Sequence, residues 1–276
     1  MVAPRRTDAA SLAARPGAWV EVGLTAPLFL LYHVGIVFLD VRNGADFVTQ
    51  WLMQLAKGDP LRYLGLTVAV FVVFAGIFAY LGRGQVFVRR KFAQMAIEGA
   101  VYAFAMAMVG ARVVNAVFGP PAKAQLGQVL EQGSAHVQLS SIATEHPVMA
   151  GPFVGFVMSL GAGFYEELMF RVLLFGLGLK LLLFLFARQN LGLFGPERRR
   201  WSVQSVFLAL VWAIVAAAVF SGVHYVGSLA DSFAMPSFVY RFVLGLVLTL
   251  IFVTRGFAVA VWTHALYDVW VLVLGS

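Results

Sequence analysis

Seven apolar runs, most of them long enough to cross a bilayer, leave this chain few folds to choose from. They cover residues 17–39, 63–82, 92–118, 150–187, 203–226, 238–254 and 257–274. A helix needs about 20 apolar residues to cross the hydrocarbon layer. Inside that layer every backbone N–H and C=O must find its partner within the protein. The runs therefore predict an all-α fold, a polytopic transmembrane helical bundle of about seven or eight spans. The fourth run is too long for one straight crossing, since at 1.5 Å per residue it would extend about 57 Å. It is expected to begin as an interfacial or partly buried helix, entered after Pro147 or Pro152.

Composition excludes a water-soluble globular enzyme. Of the 276 residues, 61% are hydrophobic and 12% charged, against about 45–50% and 25% in soluble domains. A soluble protein of this length could not clothe such a core in polar side chains. The net charge of +7 would suggest nucleic acid in a soluble chain. Here the basic residues lie mainly in short connections, where they set orientation and meet lipid head groups, so the expected partner is the bilayer and no nucleic acid. There is no cysteine, which removes disulfides, thiolate catalysis and cysteine metal sites from consideration. The first run follows Arg5, Arg6 and Arg15, is too long for a signal-peptide core and precedes no small-residue cleavage site, so it reads as an uncleaved span.

Placing the N-terminus in the cytoplasm puts Arg5, Arg6, Arg15, Arg83, Arg89, Arg90, Lys91, Arg188, Arg198, Arg199, Arg200 and Arg255 on the inner side. Arg42, Lys57, Arg62 and Lys123 then face outward. That bias predicts N-in, C-out with seven spans; the Ala/Gly-rich, Arg-over-Lys composition suggests a bacterial chain, and so an inner membrane. Trp19, Trp201 and Trp270 fall near span ends, as interfacial anchors do. The connection 119–149, with Glu131, His136, Glu145 and His146, reads as an external loop. No internal repeat supports a transporter built of two halves. Residues 1–149 read as an N-terminal tail with accessory helices and this loop, and residues 150–276 as the functional core.

Ionisable groups inside spans are the informative ones, because each costs about 2.5–3.5 kcal/mol at the bilayer centre on insertion scales and needs a partner or a task. Glu21, His33, Glu98, Arg112, Lys180 and Arg241 read as structural, interfacial or snorkelling residues. The fourth run holds Glu166, Glu167 and Arg171. Glu167 and Arg171 are four apart, in the favourable order for an ion pair. The same face, stepped back by fours, carries Gly163, Ser159, Gly155 and Gly151, a small-residue stripe that admits a neighbouring helix. Glu167 and Arg171 are therefore expected to pair inside a tight helix contact. Glu166 points elsewhere and is free to face a cavity. In the fifth run Phe220 and His224 are four apart, and in the seventh so are His264 and Asp268. Asp268 could serve to fix the His264 ring.

The three motifs, Glu166-Glu167-x-x-x-Arg171, Phe220-x-x-x-His224 and His264-x-x-x-Asp268, resemble the signature of the CPBP family of CAAX-processing and bacteriocin-processing intramembrane endopeptidases, also called Abi. The resemblance covers roughly residues 150–274. It implies peptide-bond hydrolysis in a membrane-anchored protein or peptide, such as removal of a C-terminal sorting tail or peptide maturation. It implies Glu166 as the base that activates water with help from His224, with His264 and Asp268 supporting the oxyanion. Glu167, Arg171 and Phe220 would support the site. The family position matching Asp268 is often Asn, whose amide can donate to an oxyanion where an ionised carboxylate cannot. No cofactor is the preferred expectation. In the competing account a metal is held by Glu166, His224, His264 and Asp268, a donor set that suits zinc with a place left for water. The alternatives to a protease are an ion-coupled membrane transporter and a non-catalytic scaffold of the same fold. Nothing in the sequence fixes the oligomeric state.

Overall fold

A computed structural model describes residues 17–39, 42–81, 90–119, 151–187, 202–226 and 230–274. Arg5, Arg6, Arg15, Arg83, Arg89, Lys123, Arg188, Arg198, Arg199, Arg200 and Trp201 lie outside the described residues, as does nearly all of the connection 119–149 with Pro147. The described elements are all helical: α1 (Ala18–Ile36), α2 (Thr49–Leu55), α3 (Pro60–Leu81), α4 (Arg90–Phe118), α5 (Pro152–Ala187), α6 (Val203–Gly222, extended by a 3₁₀ turn, Val223–Tyr225), α7 (Met235–Arg255) and α8 (Phe257–Val269, ending in a π turn, Trp270–Leu274). Among the described residues seven helices are long and apolar enough to cross a membrane, all but α2. They correspond to the seven runs. The protein is an integral membrane protein.

The long fourth run is one helix, started by Pro152 in its first turn, where the missing proline N–H costs nothing. It is not uniformly α-helical. Residues Ala162–Glu166 and Leu168–Leu177 are wound as π-helix, a winding that is rare beyond single turns and frequent at functional sites.

Helix α8 is the centre of the bundle, packed on α1, α4, α5 and α7. Ala258, Val259, Ala260 and Val261 are wholly buried. It follows α7 after a single intervening residue, Gly256, whose φ of 103° is open to glycine and strained for other residues. The Phe257 N–H released at this turn donates to Glu21 Oε2 at 3.0 Å. Other intramembrane charges are likewise accounted for by structure. Glu98 on α4 takes a bidentate pair from Arg255 on α7, at 2.7–3.1 Å. Arg241 pairs with Asp231 and donates to Ser237 Oγ. His33 is buried between the Tyr63 and Tyr165 hydroxyls, at 2.5 and 2.7 Å. Arg112 lies exposed on α4.

The small-residue stripe does admit a neighbour, and the neighbour is α8. A Cβ at Gly163 would lie 2.6 Å from Ala265 Cβ and 2.9 Å from both Ala265 N and Val261 O. One at Gly155 would lie 2.8 Å from the Leu272 carbonyl oxygen. Gly151 differs, for a Cβ there meets nothing within 4 Å. Backbone cannot retreat as a side-chain tip can, so Gly163→Ala should destabilise the bundle by about 1–3 kcal/mol through overpacking. Gly65→Ala on α3, where a Cβ meets nothing, should be neutral or stabilising by up to about 1 kcal/mol, since alanine favours helix. Thermal unfolding of the two purified variants in detergent, side by side, measures the difference.

Candidate active site

The π-wound stretch of α5 sends two adjacent carboxylates in different directions. Glu167, with no exposed surface, faces α8. Its Oε1 accepts from His264 Nδ1 at 2.7 Å and lies 3.1 Å from Arg171 Nη1. The expected ion pair is therefore present, and it is a triad rather than a pair. Arg171 is buried in turn, with its guanidinium carbon 4.2 Å above the Phe220 ring of α6, a favourable cation–π placement. Phe220 also makes edge contacts with His224 and His264, at centroid distances of 5.3 and 5.9 Å. The supporting residues Glu167, Arg171 and Phe220 thus lock three helices to one another.

His264 takes its orientation from Glu167, not from Asp268. The Nδ1 facing a carboxylate oxygen carries the hydrogen, which fixes the ring and leaves Nε2 as the edge facing the other two carboxylates. There it lies 3.5 Å from Asp268 Oδ2 and 3.9 Å from Glu166 Oε2. Asp268 is one helical turn on from His264, as the spacing required, but on the opposite edge of the ring from the group that holds it. His224 sits in the 3₁₀ turn that ends α6. Its Nδ1 donates to the Phe220 carbonyl at 2.9 Å, so Nε2 is the nitrogen left for other chemistry.

Glu166, His224, His264 and Asp268 all line one cavity of about 560 Å³. Three helices separated by tens of residues deliver these four groups. Much of the remaining wall is apolar, with Met106, Met158, Leu244 and Leu248 among its residues. Polar atoms buried in such a wall have high-stakes interactions, because the low local dielectric strengthens a satisfied contact and penalises an unmade one.

One residue of the site has no motif to announce it. Asn43, in the connection between α1 and α2, donates from Nδ2 to Glu166 Oε1 at 2.9 Å. A small polar clamp holds it there. Its Oδ1 accepts the Ala45 N–H at 2.8 Å, and its own N–H donates to the Tyr32 hydroxyl at 3.3 Å. Tyr32 donates to Asp46 Oδ2, while Asp46 Oδ1 accepts the Val48 and Thr49 N–H groups and so caps the start of α2. The sequence signal at Asn43-Gly44 is that of an ordinary turn.

Comparison with known proteins bears on the same stretch of chain. Residues 149–270 match a family model described as type II CAAX prenyl endopeptidase Rce1-like. Over this segment the chain is similar to that family. The match agrees with the CPBP resemblance carried by the motifs and contains all three of them; it covers less than half of the chain. No curated protein and no solved structure matches the chain. The Rce1-like match supports a CAAX-type membrane protease in general. The Rce1-like segment supplies Glu166, His224, His264 and Asp268, whereas Asn43 comes from outside it.

The same four residues are those the metal-dependent account would use for zinc. Among the described residues no group of three or more His, Asp or Glu side chains is placed to hold a metal ion. Glu166 Oε1 is held by Asn43 and His264 Nδ1 by Glu167, which leaves Glu166 Oε2 and His264 Nε2 as the atoms without such a partner.

The Glu167–Arg171 pair sets up a test of the scaffold. Removing one partner of a buried ion pair strands the other, at a typical cost of about 3–5 kcal/mol. Arg171→Met should therefore destabilise the protein by that order. Adding Glu167→Gln, which keeps an oxygen for His264 and removes the stranded charge, should restore part of the loss. A double-mutant cycle of unfolding free energies in mixed micelles reads both effects.

Proposed function

We propose that the protein is an intramembrane endopeptidase that uses Glu166 to activate water against a peptide bond of a membrane-anchored substrate. The observation that carries this reading is the convergence of Glu166, His264 and Asp268 within 3.5–3.9 Å contacts on a cavity that His224 also lines. Glu166 Oε2 takes a proton from water as the water oxygen bonds to the substrate carbonyl carbon, and the carbonyl π pair moves onto oxygen. Collapse of that intermediate re-forms the C=O bond and breaks the C–N bond, with the proton passed to the leaving amine. His224 assists Glu166 from the end of α6. His264, held at Nδ1 by Glu167, donates from Nε2 to the oxyanion as the doubly protonated imidazolium. Donors fixed in a low-dielectric site stabilise such charge with little reorganisation. Asp268 acts on His264 from the cavity side.

An intact helix hides its peptide bonds, so the substrate is cut where it is extended, at the edge or tail of its membrane segment. A C-terminal sorting tail or a maturing peptide meets that requirement. Asn43 and Gly44 of the α1–α2 connection and Val226 and Asp231 of the α6–α7 connection line the cavity. In a simple up-and-down bundle these two connections share one side of the membrane. With the N-terminus in the cytoplasm of a bacterium, that side is the outside, and the cleavage site faces it.

Glu166→Gln removes the base and keeps the shape. Cleavage should fall at least 10³-fold while the protein stays folded, and mass spectrometry of membrane proteins should show C-termini that change only in cells bearing the variant. Unchanged C-termini would refute the protease. Because the chain has no cysteine, Val226→Cys provides a single label on a residue that is 77% exposed. A membrane-impermeant maleimide should modify it in intact cells; modification only after the cells are opened would reverse the assigned orientation.

A further inference from the structure

Hydrolysis through Glu166 needs hydrogen-bond donors on the substrate carbonyl oxygen, and the carboxylates of the cavity cannot supply them when ionised. Asn43 can. Its amide orientation is fixed by chemistry, since the Ala45 N–H can only donate and so must face Oδ1. That leaves Nδ2 with two hydrogens. One goes to Glu166 Oε1 at 2.9 Å. The other has no partner among the described residues, and the side chain lines the cavity. Meanwhile Glu166 Oε2 is buried without a hydrogen bond and lies 3.9 Å from His264 Nε2. The carboxylate is thus gripped at one oxygen by a carboxamide and left without a hydrogen bond at the other.

Resting on the protease reading, we infer that Asn43 is a further catalytic residue: it forms a carboxylate–carboxamide dyad with Glu166 and donates its second Nδ2 hydrogen to the oxyanion of the tetrahedral intermediate. Glu166 Oε1 anchors the amide, and Oε2 is the oxygen that takes the proton from water. As the water oxygen bonds to carbon, negative charge grows on the carbonyl oxygen; Asn43, beside Glu166 Oε1, donates to it, as does Nε2 of His264 in its imidazolium form. When the intermediate collapses, the C=O bond re-forms, the C–N bond breaks, and the proton on Oε2 leaves with the amine. Asn43 gains and loses no proton. The segment that carries the motifs is then incomplete as a catalytic unit. Its oxyanion donor comes from the α1–α2 connection, held in register by Tyr32 and Asp46.

The test uses the full-length protein in lipid vesicles and a quenched fluorescent peptide spanning a bond that the wild type cuts and Glu166→Gln does not. Asn43→Ala should lower kcat about 100-fold, the usual loss for one oxyanion donor, and leave KM within threefold. A phosphinate analogue of the same peptide, which mimics the tetrahedral intermediate, should bind the variant about 100-fold more weakly. A kcat loss under tenfold overturns the inference. So does a large kcat loss with unchanged analogue affinity, which would leave Asn43 acting only through Glu166. Should Asn43→Ala fail to fold, Asn43→Asp keeps the size, removes the donor, and must give the same pair of losses. If no bond is found that depends on Glu166, the protease reading fails first, and this inference with it.

Discussion

Glu167 is the point on which the rest of the site depends. A carboxylate with no exposed surface, inside a hydrocarbon-filled bundle, is tolerable only if its charge is met at short range. It is met twice, by Arg171 one turn along α5 and by the His264 ring from α8. Each contact constrains a different element. Arg171 is held down on Phe220 and so pins α6, while His264 is locked with Nε2 turned toward Glu166 and Asp268. The neighbouring Glu166 is then left to line the cavity. Two adjacent glutamates of identical chemistry divide into a buried brace and a cavity-facing group because the helix that carries them is wound so that they face different neighbours.

The glycines of α5 serve the same arrangement. Gly155 and Gly163 let α8 approach until backbone meets backbone, which is what brings His264 within hydrogen-bonding distance of Glu167. In a membrane, where apolar side chains gain little by leaving lipid for one another, such close packing supplies much of the drive for helix association. Here the contact that stabilises the bundle and the contact that aligns the site are one and the same. The wider surround follows that logic. Charges that the chemistry does not use are neutralised locally, as in Glu98 with Arg255 and Asp231 with Arg241.

A second framework comes from the N-terminal helices. His33 joins Tyr63 of α3 to Tyr165 of α5, the residue beside Glu166. Tyr32, one position earlier, holds Asp46 and the turn that places Asn43. Through adjacent residues of α1, two polar chains reach the same glutamate from its backbone side and from its carboxylate oxygen. Helices that carry no recognisable motif are thereby part of the site's geometry.

The sequence by itself determined the helical class, the span count and the residues on three motif-bearing helices. Apolar length is set by bilayer thickness, and a four-residue spacing holds two side chains on one helix face wherever that helix packs. It also determined the Glu167–Arg171 pair and the small-residue stripe, since both are properties of a single helix. Only the tertiary structure decided which group holds His264. Glu167 and Asp268 are both carboxylates within reach of motif logic, and choosing between them depends on how α5 is wound and where α8 crosses it. Asn43 lay beyond sequence reasoning for the same reason. Its role is a contact between residues 123 positions apart, and a turn asparagine whose amide stops in water reads no differently from one whose amide ends on a buried glutamate.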